Sequence, residues 1–586
     1  MPSSSSTGSG YFEVKLYVNG SVSGADIINS VQTKLSARYV PMATIALLDG
    51  DVATNEFDQS KSATYNPGTE IELKAGYKGA LSSIFKGVVV KHTVRATEYS
   101  SLLILECKHA AHELTVGRKS RVFTGQSDSQ IFSKILADNG LSSALNFSGS
   151  SVTSEQVLQF DVTDWDFLML RAELNSKWVY CDGSTIQVKD PPSSLSGSKT
   201  YTYGKDVYAF EGEIDAATQL KKVEVTSWDP AIQASISASK QSFQLEHLGS
   251  VSGVKKSDLE DVASPTIFAV PHGGQLSAAE CEALAESQQM VASLSKVNGR
   301  MKIKGDETVA VGDIIKVVGF GKFSGSLLVT GVQHDLSESG WTTTLQFGSS
   351  KKRFVDAADV SGKAGAGVVA GIQGLQVGVV EKIEGDTEQR IEISLPIAGE
   401  DVKLLARMLF PSAGSKRGFQ FWPEVKDEVV VGFLHNDPSF PVILGAVFSS
   451  KNKPDIIPTK ENAEKGYISK SDLRLVFQEE DKSITLSTPE GYTVVLDETK
   501  KAITATHKSG SVITIDDDGV TIDSKGKVSL KAADDIELSS SGGGISLDGQ
   551  NIDITASAKV SVDGSSGIDC KSSANVTIKG SMVDIN

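Results

Sequence analysis

The C-terminal part of the chain carries a ladder of apolar residue pairs. Between Gly519 and Asn586, two apolar residues separated by one other residue recur, with steps of 8, 8, 9, 7, 8, 8, 8 and 7 residues. Residues i and i+2 of a β-strand face the same side, so each pair predicts a short strand with a narrow apolar face, followed by a polar turn. The pairs are Val520/Ile522, Val528/Leu530, Ile536/Leu538, Ile545/Leu547, Ile552/Ile554, Val560/Val562, Ile568/Cys570, Val576/Ile578 and Val583/Ile585.

One chain cannot bury so thin a stripe. Burying a Val or Ile side chain contributes about 1.5–3 kcal/mol, whereas ordering each backbone residue costs about 1–2 kcal/mol. Three chains wound around one axis would bury all their stripes together, so the ladder predicts a triple-stranded β-helix. Wider steps among the preceding pairs predict a prism that narrows along its length, and these pairs are Ile484/Leu486, Val494/Leu496 and Ile513/Ile515.

Two other repeat architectures fit the ladder less well. A monomeric parallel β-helix uses several strands per coil, and an eight-residue unit is too short for such a coil. A calcium-binding nonapeptide roll needs repeated G-G-x-G-x-D, and only Gly542–Gly544 comes near, without the Asp.

Length and composition exclude several classes of protein. A chain of 586 residues is too long for one core, so we expect three or more domains. It contains no long apolar run that would span a membrane. Residues 1–10 lack the basic start and apolar stretch of a secretory signal and predict a disordered tail. The net charge of −16 argues against a nucleic-acid partner. Four cysteines without a C-x-x-C pair, all in apolar stretches, are interpreted as buried thiols.

Most of the remaining chain alternates as strands do, with three predicted helices at Asp128–Asn139, Asp164–Ser176 and Ser277–Lys296. Asp164 is the expected N-cap of the second helix, and S-A-A-E opens the third like a capping box. Small residues at 356–374 predict a linker.

An internal repeat relates two segments of the first 350 residues, Gly68–Cys107 and Gly312–Phe347. Each has a Gly-led strand that ends in Gly-aromatic, then a strand with Gly-Val and a following His, then a third strand. The alignment predicts two related small β-barrels. It equates Gly68 with Gly312, Gly76-Tyr77 with Gly319-Phe320, and His92 with His334.

Several motifs in the right order resemble the VgrG-type spike proteins of contractile injection systems, a family similar to the fused hub and spike of T-even phage baseplates. The resemblance covers nearly the whole chain. One departure is Asp427, where the family usually has Gly. The motifs are Leu114–Phe123, Trp165–Leu168 with Arg171–Glu173, the most specific stretch Phe421–Pro454, and Ser483–Glu498.

The resemblance implies a mainly β homotrimer with some α-helix. Its expected parts are a hub at 11–355, an oligonucleotide/oligosaccharide-binding (OB) collar at 375–450, a connection at 451–482 and a triple-stranded β-helix needle at 483–586. The hub would contain two tube-like barrels, at about 11–110 and 200–350, with a helical insertion between them. Two barrels in each of three chains would give six similar units, which suits a three-fold needle on a six-fold tube.

The function implied by the resemblance is mechanical. The trimer would cap the inner tube, pierce a target envelope and carry a tip protein or cargo. The expected partners are a hexameric tube protein, baseplate components, a PAAR-type tip protein and possible effector cargo. The protein would be made and assembled in the cytoplasm without a signal peptide, and leave it within the injection particle. The alternative is a trimeric tailspike-like enzyme that degrades polysaccharides.

No residue pattern predicts a catalytic site, a cofactor or a metal. His109 and His112, beside Glu113, have a metal-like spacing but no evident third ligand. Asp516–Asp518 is interpreted as a solvated turn, and His435 with Asp437 as a barrel loop. Space for an inserted enzyme domain is missing between collar and needle, and none is expected after the needle.

The candidate site residues are therefore contacts between chains. The expected tip-protein contacts are Val583, Ile585 and Asn586. The expected trimer core is Ile484, Leu486, Val520, Ile522, Val528, Leu530, Ile536, Leu538, Ile545, Leu547, Ile552, Ile554, Val560, Val562, Ile568, Val576 and Ile578.

Overall fold

The protein is described from a computed structural model. It covers residues 12–23, 27–147, 156–191, 199–243, 254–263, 265–357, 360–399 and 401–585. The predicted tail at 1–10 and the predicted tip residue Asn586 lie outside these ranges. The chain divides into two compact units, 1–421 with 431–444 and 422–430 with 445–586.

Strands dominate the described part of the first unit, and five α-helices interrupt them there. The helices are α1 Asp58–Lys61, α2 Asp128–Asp138, α3 Asp164–Leu174, α4 Lys256–Ala263 and α5 Ala278–Ser295. The strands before the collar are β1 Phe12–Val18, β2 Ser21–Val22, β3 Ile28–Ser36, β4 Met42–Leu48, β5 Glu70–Tyr77, β6 Ala80–Ala96, β7 Ser101–Lys108, β8 Arg118–Thr124, β9 Ser142–Leu145, β10 Gln156–Thr163, β11 Trp178–Asp182, β12 Thr185–Lys189, β13 Thr200–Thr202, β14 Val207–Ile214, β15 Val223–Asp229, β16 Ala234–Lys240, β17 Phe268–His272, β18 Val297–Lys304, β19 Ile314–Val318, β20 Gly325–Ser337 and β21 Gly340–Phe347.

One large sheet contains both copies of the internal repeat, in the order β14-β18-β21-β20-β3-β4-β7-β6-β5-β1-β2, with β19 on β20 and β13 on β19. Each copy has its own core. The first core includes Leu16, Leu73 and Leu105, and the second includes Val317, Val329 and Leu345. Alternating burial along β1 and β21 gives each strand one core face and one outer face. Antiparallel pairing of β20 with β3 joins the two copies.

Backbone details confirm the equivalence of Gly68 and Gly312. Both have φ +95°, a left-handed conformation that favours glycine. Gly68 N–H donates to the Val89 carbonyl at 2.8 Å, and Gly312 N–H donates to the Val329 carbonyl at 2.9 Å. Each valine N–H in turn donates to the residue after the glycine. The two strands also bulge at matching places, after Val89 and after Val329.

The predicted alignment of His92 with His334 is wrong by two residues. His92 pairs with Leu105 in the first copy, and Val332 pairs with Leu345 in the second. If Val89 corresponds to Val329, His92 is therefore equivalent to Val332, and Val94 is equivalent to His334. The shared Gly-Val and His letters created the false alignment. The prediction still assigns the two histidines to the same face of the sheet, because strand positions two apart point the same way.

The helices start largely as predicted. Ser127 with Gln130 and Ser277 with Glu280 form capping boxes at α2 and α5. The N-cap of α3 is Thr163, whose hydroxyl accepts the Asp166 N–H at 3.1 Å, and Asp164 is already helical. The prediction of Asp164 as N-cap is therefore wrong by one residue. The short helices α1 and α4 were not predicted.

The collar is a closed five-stranded barrel in the order β22-β23-β24-β28-β27. Its fully buried residues include Val380, Ile391, Ile393 and Ala406. The strands from the linker to the end of the collar are β22 Gln376–Lys382, β23 Ile391–Ser394, β24 Lys403–Met408, β25 Ala413–Gly414, β26 Arg417–Gly418, β27 Glu428–Phe433 and β28 Pro441–Ala446.

A seven-stranded antiparallel sheet dominates the second unit, with its strands in chain order. The strands are β29 Glu464–Ile468, β30 Arg474–Gln478, β31 Ser483–Ser487, β32 Thr493–Asp497, β33 Ala502–Thr506, β34 Val512–Asp516 and β35 Gly519–Asp523. Between Ser524 and Ile585, all of which is described, no residue pairs as a strand within the chain.

Candidate assembly surfaces

Two apolar rows cross one face of the seven-stranded sheet. Residues directly opposite each other in antiparallel strands share a face, as do residues i and i+2. The registers of β30 to β35 therefore join the predicted pairs into continuous rows. One row is Phe477, Ile484, Leu496, Ile503, Ile515 and Val520, and the other is Leu475, Leu486, Val494, Ala505, Ile513 and Ile522.

The opposite face of the same sheet is polar or β-branched. Its central row is Val476, Thr485, Val495, Thr504, Thr514 and Thr521. Threonine suits a strand face in water, because its β-branch favours extended backbone while its hydroxyl stays solvated. The sheet is therefore amphipathic, and only one of its faces needs a partner.

The apolar rows remain largely uncovered in a single chain. The exposed fraction is 40% for Phe477, 46% for Ile513 and 54% for Ile522. These values are those of a surface, not of a core, although the residues are the ones expected inside. Four predicted core residues are brought together here: Ile484, Leu486, Val520 and Ile522.

The remaining predicted core residues, from Val528 to Ile578, are not brought together by strand pairing within the chain. The expected short strands are not formed there, because a strand needs a hydrogen-bonded neighbour and this stretch provides none of its own. Each of these apolar side chains is more than half exposed. Val583 and Ile585 are also exposed, at 48% and 86%.

Sequence reasoning missed the start of the rows. Leu475 and Phe477 lie in the segment assigned to a connection, and Ile503 with Ala505 was not counted as a pair. The signal was present in the alternation of "RLVFQ" and "AITAT", but the steps there depart from eight and an alanine breaks the pattern.

Three of the candidate metal and catalytic residues have local structural partners. His109 Nδ1 accepts the Ala111 N–H at 3.0 Å and caps a 3-10 helix, and burial lowers the pKa of His109. Asp516 accepts the N–H groups of Asp518 and Gly519 within a turn. Asp437 accepts the Ser439 N–H in a collar turn. Among the residues described, no group of three or more His, Cys, Asp or Glu is placed to hold a metal ion.

The cysteine prediction holds for three of the four thiols. Cys107, Cys181 and Cys281 are buried, and burial raises the pKa of Cys107 and of Cys181 to about 12. Cys570 is exposed, which corrects the prediction for that residue. It occupies the second position of a ladder pair, so it shares the exposure of its neighbours there. No described helix has the length and apolar character needed to cross a membrane.

A cleft of about 330 Å³ lies in the hub between the two repeat copies and β11. Its wall includes His109, His334, Lys189 and Asp313. Burial lowers the pKa of His334 to about 4, so its imidazole is neutral at pH 7. Its Nδ1 lies 2.9 Å from the Thr343 hydroxyl. The wall carries both positively and negatively charged side chains, so it does not favour a ligand of one charge.

The hub part of the chain matches a known family. Residues 9–338 match the family model described as the Alg8 N-terminal domain. The chain belongs to this Alg8 family. In addition, residues 376–448 match the family described as the type VI secretion system/phage-baseplate injector OB domain. That match coincides with the closed barrel of the collar and confirms the predicted resemblance to VgrG-type spike proteins.

Solved structures of tail and secretion proteins resemble parts of this Alg8-family chain. A 43 kDa prophage tail protein of Shewanella oneidensis is 11% identical, covers 57% of this chain and 98% of its own, with a TM-score of 0.42. An Escherichia coli component of the type VI secretion system is 15% identical, covers 74% of this chain and 100% of its own, and scores 0.39. A Francisella PdpA–VgrG complex is 9% identical, covers 87% of both chains and scores 0.39. No activity or assembly follows from likenesses this low. No curated protein matches.

In this Alg8-family chain, the motif around α3 holds the hub together. Arg171 binds Asp128 through two hydrogen bonds of 2.6 and 2.8 Å. The buried Glu173 accepts from Arg38 at 2.9 Å and from Arg353 at 2.8 Å. These contacts link three distant segments, so the motif has a structural role.

The buried Asp164 completes this framework. Burial alone would raise the pKa of Asp164, but hydrogen bonds from Lys119 and Gln159 and the charge of Arg121 outweigh it, so the pKa lies below its ordinary value. The carboxylate therefore stays ionised and ties α3 to β8.

Proposed function

We propose that the chain is the spike of a contractile injection system and acts as a homotrimer. The two apolar rows of the seven-stranded sheet carry this proposal, because they are continuous and yet uncovered in one chain. Two further copies placed around an axis would cover the rows and the ladder that follows them. The polar threonine face would remain in water.

The hub is proposed to receive the tube. Two equivalent copies of the repeat in each of three chains would present six similar units to a hexameric tube protein and to baseplate components. The shared φ of Gly68 and Gly312 and their matching hydrogen bonds support this symmetry argument.

The needle end is proposed to bind a PAAR-type tip protein through Val583, Ile585 and Asn586. Val583 and Ile585 would offer a small apolar patch, so the affinity would depend on shape match and edge pairing. We expect Val583→Asp with Ile585→Asp to abolish co-purification of a separately expressed tip protein, while Ser581→Asp leaves it unchanged. Equal recovery with all variants would place the tip contact elsewhere.

The proposed role is mechanical and includes no hydrolytic activity of the chain itself. We infer that the protein is made in the cytoplasm and leaves it within the particle, with a tip protein or cargo. The direct test has two parts: light scattering should give the mass of a trimer, and the trimer should leave peptidoglycan and common polysaccharides intact. A monodisperse monomer would refute the spike, and polysaccharide turnover abolished by one carboxylate substitution would favour the tailspike-like enzyme.

A further inference from the structure

The joint between the two repeat copies has a defined chemistry. Strand β20 of the second copy pairs antiparallel with β3 of the first. On the core face, His334 lies opposite Thr33 and Leu336 lies opposite Val31. On the outer face the pairs are polar, and Gln32 Nε2 donates to Asp335 Oδ1 at 2.7 Å. The full register on the outer face is Gly331/Ser36, Gln333/Lys34, Asp335/Gln32 and Ser337/Ser30.

The two strands of this joint have counterparts that do not meet within the chain. The counterpart of β20 is β6, as the bulges after Val89 and Val329 indicate. The counterpart of β3 is β14, because both strands bulge at the same place against their neighbour, between Ile28 and Ser30 and between Val207 and Ala209.

Among the residues that the structure describes, both counterparts have an unused edge. From Lys91 to Ala96, β6 pairs with β7 on one side, and within the described ranges no strand pairs with its other side. Strand β14 pairs with β18 and ends the large sheet. Unpaired N–H and C=O groups on such edges favour the addition of another strand.

We propose that β6 of one chain pairs antiparallel with β14 of a second copy, as β20 pairs with β3 within the chain. The inference rests on the proposed trimer and adds the residues that join its hubs. Transferring the observed register of β20 and β3 onto the counterparts defines every contact. The pairs are Lys91/Asp215, His92/Ile214, Thr93/Glu213, Val94/Gly212, Arg95/Glu211 and Ala96/Phe210.

The transferred register brings complementary side chains together. On the outer face, Lys91 and Arg95 lie opposite Asp215 and Glu211, with Glu213 between them. Within one chain Lys91 already contacts Glu106 at 2.8 Å, and Glu211 contacts Arg300 at 2.7 Å. The joint would extend these pairs into networks of alternating charge.

The inward pairs of the same register are apolar except for His92, whose Nε2 lies 3.0 Å from the Ser60 hydroxyl within its own chain. Val94 is 43% exposed in the single chain, and the joint would place it beside Phe210 and Ile214, which pack at the edge of the second core. The proposed register thus separates a largely apolar face from a charged face. It was derived only from the backbone pairing of β20 with β3, without reference to side-chain chemistry.

The charges also select between possible pairings. Pairing β14 with a second β14 would bring Glu211 and Glu213 against their own copies, and pairing β6 with a second β6 would do the same for Lys91 and Arg95. Like charges directly opposite are unfavourable. Pairing of two different edges is heterologous, which closes into a ring when the rotation permits.

Disulfide cross-linking tests the register. In a Cys570→Ser background, Thr93→Cys with Glu213→Cys should give covalent dimers and trimers on a non-reducing gel. Shifting one cysteine by two residues, as in Thr93→Cys with Glu211→Cys, should reduce the cross-linked yield at least several-fold, because diagonal positions are farther apart. Arg95→Cys with Glu211→Cys provides a second pair in the proposed register.

An internal control has the same local geometry. Lys34→Cys with Gln333→Cys occupies the equivalent outer positions of the joint within the chain and should form a disulfide without joining chains. A trimer by light scattering in reducing buffer, with neither in-register pair cross-linking, would overturn the joint but leave the proposed spike intact. A monomer in that buffer would overturn both.

Discussion

The needle offers the sharpest test of assembly, the substitution of Ile552→Asp together with Ile554→Asp. In one chain these side chains are 52% and 70% exposed. Full burial of an isoleucine contributes about 1.5–3 kcal/mol, so covering the remaining surface contributes about 1 to 1.5 kcal/mol per side chain. Six such side chains would meet in the proposed trimer, which gives about 6–9 kcal/mol in favour of assembly. The variant loses this contribution.

The aspartates add a second cost, because several carboxylates would be brought together on the axis and desolvated at several kcal/mol each. These positions are exposed in the isolated chain, so the substitutions there neither remove buried apolar surface nor desolvate a carboxylate. We therefore expect the variant to remain folded in its hub, as measured by circular dichroism, but to lose trimer at micromolar concentration, as measured by light scattering.

A matched control adds the same charge on the other face of the segment. Asn551→Asp with Thr555→Asp should leave the trimer intact, because residues one position away point outward in an extended strand. Equal loss of trimer in both variants would show that charge density, and not burial of the isoleucines, controls assembly. An intact trimer in the isoleucine variant would refute the reasoning.

Two further predictions concern the hub. Glu173→Gln removes the buried charge between Arg38 and Arg353 and should lower the unfolding free energy, measured in urea, by about 3–5 kcal/mol. As a control, Glu479→Gln breaks an exposed pair with Lys465 and should change the unfolding free energy by less than about 1 kcal/mol. Burial lowers the pKa of His334 from 6.5 to about 4, so the unfolded chain binds a proton that the folded chain does not. Stability should then fall by up to about 3 kcal/mol as pH drops from 6.5 to 4, and a His334→Gln variant should lack this part of the urea midpoint shift.

The rows of the seven-stranded sheet were predictable in part because their pattern repeats. The i, i+2 spacing identifies strand faces without knowledge of any neighbour, so pairs such as Ile484/Leu486 fell into the observed rows. The beginning of the rows at Leu475 and Phe477 was missed, because membership there depends on register between strands. Register is set by turns and cross-strand contacts, and spacing along the chain does not report it.

The hub shows the same limit on what the sequence can predict. Gly68 and Gly312 were correctly equated because a positive φ restricts the residue type. His92 and His334 were wrongly equated because a histidine letter carries no such constraint: His92 lies three residues after Val89, whereas His334 lies five residues after the equivalent Val329. Glu173 contacts residues that lie 135 or more positions away in sequence, such as Arg38, and no local sequence pattern predicts these contacts.

The two units differ in what holds them together, and this orders the steps of assembly. The hub copies have cores of fully buried residues such as Leu73 and Leu345, so we expect each chain to fold its hub without a partner. In the proposed trimer, the rows of the seven-stranded sheet would gain a core from the other copies. In the proposed trimer, hydrophobic burial in the needle would not be screened by salt, whereas the charged edge between Arg95 and Glu211 would be. The needle would therefore set the stability of the trimer, and the hub edges would set the register in which three hubs close into a ring.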